Sequence, residues 1–391
     1  MPTNAKDKRG TGRPLTQLGG ISAGDFLRRY WQKKPLLIRQ AFAGFKDPLD
    51  KRAVLDLAAS EDAESRLISF DGKAWQLQNG PLAARDFRAV RDARWTVLVQ
   101  DTQHFSADAH ALLAQFDFIP RARIDDLMVS YAIPGAGVGA HVDSYDVFLL
   151  QGSGRRRWQI SSQRDRALKA GVPLKLLARF RAEQEFVLES GDMLYLPPGY
   201  AHNGIAETEC LTWSIGFRAP TQQELANALL DHLRDEFILD GQYRDPDLLP
   251  ARHAALIDTD MQKRVERLLA PLQAATRERE MLRKFLGRFL TEPKPHVYFE
   301  SPARPLTAAA FMRAVAKHGV TLDLKTRFLY DGRGFFINGE YLDVGAKDMA
   351  DLRRLADQRG LPAGALPGAA RATALAVLHR LYCDGFLHAG A

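Results

Sequence analysis

The chain has 391 residues, 46% of them hydrophobic and 26% charged, with a formal net charge of +7 at pH 7. That length exceeds what one core usually serves and predicts two or three globular domains, while the composition excludes a collagenous, disulfide-scaffold or wholly disordered chain. No apolar run approaches the roughly 18 residues of a membrane span, and Cys210 and Cys383 lie too far apart in sequence to suggest a disulfide framework or zinc knuckle, so a cytoplasmic, reducing setting is expected.

Residues 1–18 read as a basic disordered tail: Lys6, Lys8, Arg9 and Arg13 face only Asp7, among Gly10, Gly12 and Pro14. The positive charge permits contact with RNA or DNA without demonstrating it. Residues 19–220 read as a β-rich domain led in by short amphipathic helices at Ala23 to Gln32 and Lys51 to Ala59. Strands are expected at Arg66 to Phe70, Ala74 to Leu77, Trp95 to Val99, Asp126 to Ile133, Val142 to Leu150, Arg156 to Ile160, Glu185 to Leu188, Met193 to Leu196 and Cys210 to Phe217. Many short strands separated by turn residues predict a sandwich or jelly-roll barrel with a ligand site at its mouth. The stretch Pro134 to Gly139 has no helix after it to cradle a phosphate, so it reads as a flexible rim loop and a candidate lid.

Three residues within that domain carry metal-ligand chemistry. If Ala140 to Phe148 is a strand, His141 and Asp143 share one face and Val142 takes the other. Downstream, a Gly191-Asp192 turn, a short buried strand at Met193 to Leu196 and the stop Pro197-Pro198-Gly199 deliver His202 to the barrel rim. Two imidazoles and one carboxylate leave about three open positions, which suits non-haem Fe(II) in oxygen chemistry better than a closed zinc site. In the run Arg155-Arg156-Arg157, strand parity places Arg156 with Trp158 and Ile160. A buried guanidinium needs a partner, and a dicarboxylate co-substrate chelating the iron at one end and held by Arg156 at the other would supply it.

The metal pair, the run Gly154-Arg155-Arg156-Arg157-Trp158 and the stretch Gly191 to His202 together resemble the JmjC-type, 2-oxoglutarate-dependent oxygenases. The similarity is closest to their bacterial ribosomal-oxygenase branch, the arginine 3-hydroxylases of a large-subunit ribosomal protein of the L-sixteen family. Tyr30 to Ile38, Asp125 to Ser130, Ser144 to Phe148 and Ser214 to Pro220 belong to the same pattern, which covers roughly residues 20 to 220. The resemblance implies an α+β chain: a double-stranded β-helix of the jelly-roll, cupin-like JmjC kind over 19–220, then a helical dimerisation region and a C-terminal winged-helix-like domain. It also implies that His141, Asp143 and His202 hold Fe(II), that Arg156 binds the distal carboxylate of 2-oxoglutarate, and that Ser130 and Ser214 offer it weaker hydrogen bonds. The implied reaction hydroxylates the β-carbon of an arginine in a ribosomal protein substrate and releases succinate and carbon dioxide. Asp125, Asp126, Tyr131, Tyr145 and Asp146 are candidates for selecting that side chain by their nearness in sequence to the site. The rival readings are a JmjC demethylase or hydroxylase of another protein, a small-molecule cupin, and a winged-helix regulator with a ligand-sensing barrel.

After Pro220 the period becomes helical. Thr221 can cap a helix through Leu225, Leu229, Leu230 and Leu233, and Val265, Leu268, Leu269 and Leu272 form one stripe within Met261 to Phe289. Residues 221–292 are therefore expected to be a helical dimerisation region, giving a homodimer, as the resemblance also implies. Residues 293–391 combine helices at Ala308 to Lys317, Ala346 to Ala356 and Ala370 to Cys383 with a hairpin, Arg327 to Tyr330 and Gly334 to Ile337, about Asp331-Gly332. That is a winged-helix-like arrangement. Lys347, Arg353, Arg354 and Arg359 give one of its helices a basic character that Asp348, Asp351 and Asp357 dilute, favouring a structural or protein-contact role over a nucleic-acid footprint.

Overall fold

The computed structural model describes residues 14–344, 349–365 and 372–390. They form two compact units, one of residues up to Ala219 with Pro295–Tyr298, the other of Pro220–Lys294 with Phe299 onward.

The first unit opens with the strand pair β1 (Gln17–Leu18) and β2 (Ile21–Ser22) and helix α1 (Ala23–Arg29), which Ser22 caps by accepting the Asp25 amide. Leu18, at the end of the stretch read as a tail, is fully buried; residues 1–13, with the four basic residues of that reading, lie outside the described residues. There follow β3 (Leu36–Ile38), α2 (Lys51–Ala58), β4 (Ser65–Phe70), β5 (Trp75–Asn79), α3 (Ala84–Ala89), β6 (Arg94–Val99) and α4 (Ala107–Ala114). The remaining strands are β7 (Ile124–Ala132), β8 (His141–Val142), β9 (Asp146–Gln151), β10 (Arg156–Ser161), β11 (Gln184–Leu188), β12 (Met193–Leu196), β13 (Ala201–Ala206) and β14 (Cys210–Phe217).

Eight of these strands make one sheet in the order β3-β12-β9-β14-β7-β6-β4-β5, and four make a second in the order β11-β10-β13-β8. The sheets face each other through Val147, Leu149, Leu194 and Leu196 on the larger and Trp158, Ile160 and Leu188 on the smaller. On the other face of the larger sheet, Phe148, Leu150, Tyr195, Leu127, Val129, Tyr131 and Trp213 join Phe26 and Phe116 in the main core. Both faces of these strands are buried, so β9, β12 and β14 read as near-continuous apolar runs instead of alternating ones. The expected jelly-roll is present.

Three expectations about local structure change. The strand expected through Ala140 to Phe148 is broken: β8 ends at Val142, and Asp143, Ser144 and Tyr145 bend before β9. Pro197 to Gly199 does turn the chain, but His202 sits within a strand, β13, that sequence patterning missed. The supposed lid is tied down, since Gly135 donates to the Ala206 carbonyl at 2.7 Å, Ala206 donates to that of Ala136 at 2.9 Å, and Ala136 is buried.

In the second unit, Thr221 forms a capping box with Glu224 at the start of α5 (Gln222–Glu236), followed by α6 (Thr259–Ala275) and α7 (Arg279–Thr291). Then come α8 (Ala308–His318), β15 (Val320–Leu322), β16 (Phe328–Tyr330), β17 (Phe335–Ile337), β18 (Glu340–Leu342), α9 (Met349–Gln358), β19 (Gly360–Leu361), α10 (Ala372–Cys383) and β20 (Leu387–Ala389). The expected hairpin is β16–β17, its turn held by Asp331 accepting the amides of Arg333 and Gly334. Phe311, Phe335, Leu352, Leu355, Leu378 and Leu381 form the core between helices and small sheets. Ala346, Lys347, Asp348 and Ala370, named in the helix expectations, lie outside the described residues. Arg359 is committed internally, donating to the carbonyls of Thr326 at 2.8 Å and Asp323 at 2.7 Å, and Arg353 lies over the Tyr330 ring at 5.6 Å.

Candidate metal centre

His141 and His202 are direct cross-strand partners in the β8–β13 pair, which brings their ring centroids to 4.2 Å. The bend after β8 swings Asp143 into the same space, with its carboxylate oxygens 3.9 Å from His141 Nε2 and 3.6 Å from His202 Nε2. One ligand atom from each of the three lies within 4.8 Å of the others, a spacing that can hold a metal ion. The two Nδ1 atoms face backbone carbonyls, His141 that of Gly139 at 2.9 Å and His202 that of Tyr200 at 3.1 Å. A carbonyl can only accept, so each Nδ1 carries the hydrogen and donates it, which leaves the Nε2 lone pair free to bind a metal. Burial, with His141 alongside, lowers the His202 pKa to about 4 against the opposing pull of Asp143, so its imidazole is neutral at neutral pH, the form a metal requires.

The triad lies in the wall of a cavity of about 350 Å³ between the two sheets. Arg156 enters it from β10 and is 5% exposed, on the inward face with Trp158 and Ile160 as parity predicts. Its neighbours in sequence take the opposite face, where Arg157 pairs with Glu185 and Glu207. Arg156 Nη1 donates to Ser130 Oγ at 3.3 Å; its Nε and Nη2 are buried with no hydrogen-bond partner. A buried guanidinium with unmet donors fits a carboxylate arriving from the cavity. Ser214 lines the same cavity from β14.

Of the five residues considered for selecting an arginine, Asp125, Asp126 and Tyr145 line the cavity. The other two do not. Tyr131 is one step out of register with Ser130 on β7 and faces the main core, and Asp146 is fully buried where Tyr195 Oη donates to it at 2.6 Å and Gln32 Nε2 at 2.8 Å. Partial withdrawal from water in the cavity wall, where Tyr145 remains 38% exposed, and the charges of Asp143, Asp126 and Asp125 raise its pKa, so the phenol stays protonated and a hydrogen-bond donor.

The JmjC domain family matches residues 111–225, and the ROXA-like winged helix family matches residues 266–388. Over 322 residues the chain is 34% identical to the ribosomal protein uL16 3-hydroxylase of Escherichia coli (strain K12), an alignment covering 82% of this chain and 85% of that protein. The chain belongs to the JmjC ribosomal oxygenases. The X-ray structure of E. coli ycfD superposes with a TM-score of 0.84 at 31% identity, covering 95% of this chain and 99% of that one. The structure of E. coli YcfD in complex with cobalt and 2-oxoglutarate matches with a TM-score of 0.79 at 31% identity, covering 93% and 97%.

This ribosomal-oxygenase cavity also contains residues that sequence reasoning passed over. Arg66 and Ile68 line it from β4, a strand whose buried faces hide any alternation. Leu174, Lys175 and Leu176 reach it from the β10–β11 connection, where Leu177 donates to the Ala140 carbonyl at 2.8 Å beside the metal pair. That connection has no periodic pattern to mark it. Gly204 is a legible signal in retrospect: a Cβ there would lie 2.7 Å from the Trp158 ring, so the glycine lets the indole lie across β13 next to His202.

Proposed function

We propose that this chain is an Fe(II)- and 2-oxoglutarate-dependent protein hydroxylase that places a hydroxyl on the β-carbon of an arginine in ribosomal protein uL16. The observation that carries the reading is the conjunction, in one cavity, of a His141–Asp143–His202 cluster with a buried Arg156 whose Nε and Nη2 are unpartnered. One feature without the other would fit many proteins. Together they match the two ends of a keto-dicarboxylate.

In this reading His141, Asp143 and His202 hold Fe(II), and Arg156, steadied by Ser130, receives the distal carboxylate, with Ser214 offering a further hydroxyl. Bound together, the metal and co-substrate supply oxidative decarboxylation, in which one oxygen atom of O₂ ends in succinate and the other in the substrate hydroxyl. The protein's own contribution is positioning. Met128, Val147, Leu149 and Trp158 give the cavity apolar walls that limit water, and Asp125 and Asp126 on β7 give its mouth carboxylates suited to a guanidinium. Tyr145, held as a donor, can orient the same group or the neighbouring peptide.

The assembly is proposed to be a cytoplasmic homodimer. Val265, Leu268 and Leu269 on α6 and Leu282 and Leu286 on α7 are exposed, an apolar surface that a second copy would cover. The winged-helix-like part is proposed to act structurally or in protein contact, because Arg353 and Arg359 are engaged within it. Among the described residues no helix is long and apolar enough to cross a membrane. Succinate formation that requires both Fe(II) and uL16, with retention of every methyl group in the product, tests the hydroxylase reading against a demethylase.

A further inference from the structure

A second cavity, of about 250 Å³, lies beside the first and is lined by Phe70, Trp75, Arg94, Asn203, Ile205 and the bare backbone of Gly135, Gly137 and Gly139. Its position follows from strand register. On one face of the β4–β5–β6 sheet, Arg66 pairs with Leu98 and Asn79, Ile68 with Thr96 and Leu77, and Phe70 with Arg94 and Trp75. Arg66, Ile68 and Leu98 line the metal cavity; Phe70, Arg94 and Trp75, one two-residue step further along, line the second. From β13, His202 enters the metal cavity, whereas Asn203 and Ile205, of opposite parity, enter the second. The divide between them is the two-residue edge strand β8 and the glycine segment before it.

The divide is built to be thin. A Cβ on Gly137 would lie 2.0 Å from the Gly204 carbonyl oxygen, and one on Gly139, at φ +84°, would lie 3.0 Å from Leu176 and 3.1 Å from Trp75. Neither position has room for a side chain, so the wall between the cavities is one chain thick. Across it, Phe70 and Trp75 stack at 4.8 Å, and among the described residues Arg94 is the one charged member of the lining. Two rings favour an apolar or aromatic guest, and the guanidinium disfavours a lysine or arginine.

We infer that the second cavity binds a large apolar or aromatic side chain of the same polypeptide whose target residue enters the metal cavity. A two-residue step along a strand is about 7 Å, so an extended substrate crossing β8 would place there a residue two to four positions from the one hydroxylated. The pocket then reads sequence beside the target. This inference rests on the hydroxylase reading above.

The test uses the full-length enzyme with Fe(II) and 2-oxoglutarate, and peptides spanning the candidate arginine of uL16 with each flanking residue in turn replaced by alanine. Wild-type enzyme should show one position, two to four residues from the arginine, where alanine lowers kcat/KM about tenfold through KM. In Trp75→Ala, which empties the pocket, and in Ile205→Trp, which fills it, that position should lose its effect while affinity for 2-oxoglutarate is unchanged. The Ile205 variant guards against disturbance of Gly139, which Trp75 touches. The same positional profile in wild type and both variants would overturn the pocket alone. A wild-type enzyme that leaves the parent peptide unoxidised would withdraw the uL16 reading, and this inference with it.

Discussion

Arg156 Nη1 lies 3.3 Å from the Ser130 hydroxyl, while Nε and Nη2 of the same guanidinium are buried without a partner. Replacing Arg156 by alanine should weaken 2-oxoglutarate binding by roughly a hundredfold, the scale of a lost charge-assisted, bidentate contact. Lysine, a point charge without the planar fork, should recover only part of this. Ser130→Ala should cost about two- to fivefold, since it removes a support and leaves the charge. Calorimetric titration of the metal-loaded protein with 2-oxoglutarate measures all three.

Gly204 on β13 is set against the Trp158 indole, and an alanine methyl there would meet the ring at 2.7 Å. Because His202 is two residues away on the same strand face, Gly204→Ala should both destabilise the first unit by about 1–3 kcal/mol and weaken metal binding. Thermal melting and metal titration read the two effects separately. A variant as stable as wild type would show that Trp158 can move aside freely.

Asp192 tests the pH dependence of the fold. Burial pushes its pKa up, but the amides of Gln40 and Glu189 and the Arg39 guanidinium outweigh that and hold it below the usual carboxylate value. A depressed carboxylate pKa contributes stability that is present above the unfolded value, near 3.8, and is lost as pH falls through the lower folded value. Asp192→Asn should therefore lower stability by about 1–3 kcal/mol near neutrality and flatten the acid limb of the stability curve. Denaturant titrations between neutral pH and pH 3 check this.

The exposed stripe Val265, Leu268 and Leu269 on α6 gives a test of the homodimer. Glutamate at Leu268 should convert a dimer to monomer at micromolar concentration with little loss of helix content, because the side chain is outside the core. Light scattering and far-UV circular dichroism follow both. A wild-type protein that is already monomeric would remove the dimer proposal.

Much of the site was legible because it rests on residue identity and two simple periods. His141, Asp143 and His202 converge as expected, and Arg156 points inward for the reason strand parity gives. The route of two ligands was not legible. Asp143 reaches the site through a bend, and His202 through a strand whose Asn203 and Gly204 are poor strand formers, held there by pairing with Gln159 and Trp158 of β10, while β8 pairs only with Ala201 and His202. Tyr131 and Asp146 were drawn toward the site by nearness in sequence, yet a one-residue change of parity sends each to the main core. Nor could a glycine segment reveal that its purpose is close packing: Pro134 to Gly139 resembles a mobile loop until Gly137 is seen against the Gly204 carbonyl.

Mass spectrometry of uL16 after incubation with the purified protein, Fe(II), 2-oxoglutarate and oxygen reads the hydroxylation itself. The expected product carries one additional oxygen atom, located by fragmentation on the β-carbon of a single arginine and absent when His141→Ala or Arg156→Ala replaces the wild type. Unmodified uL16 despite full metal and co-substrate binding, or loss of a methyl group from any ribosomal protein in its place, would rule out the hydroxylase reading.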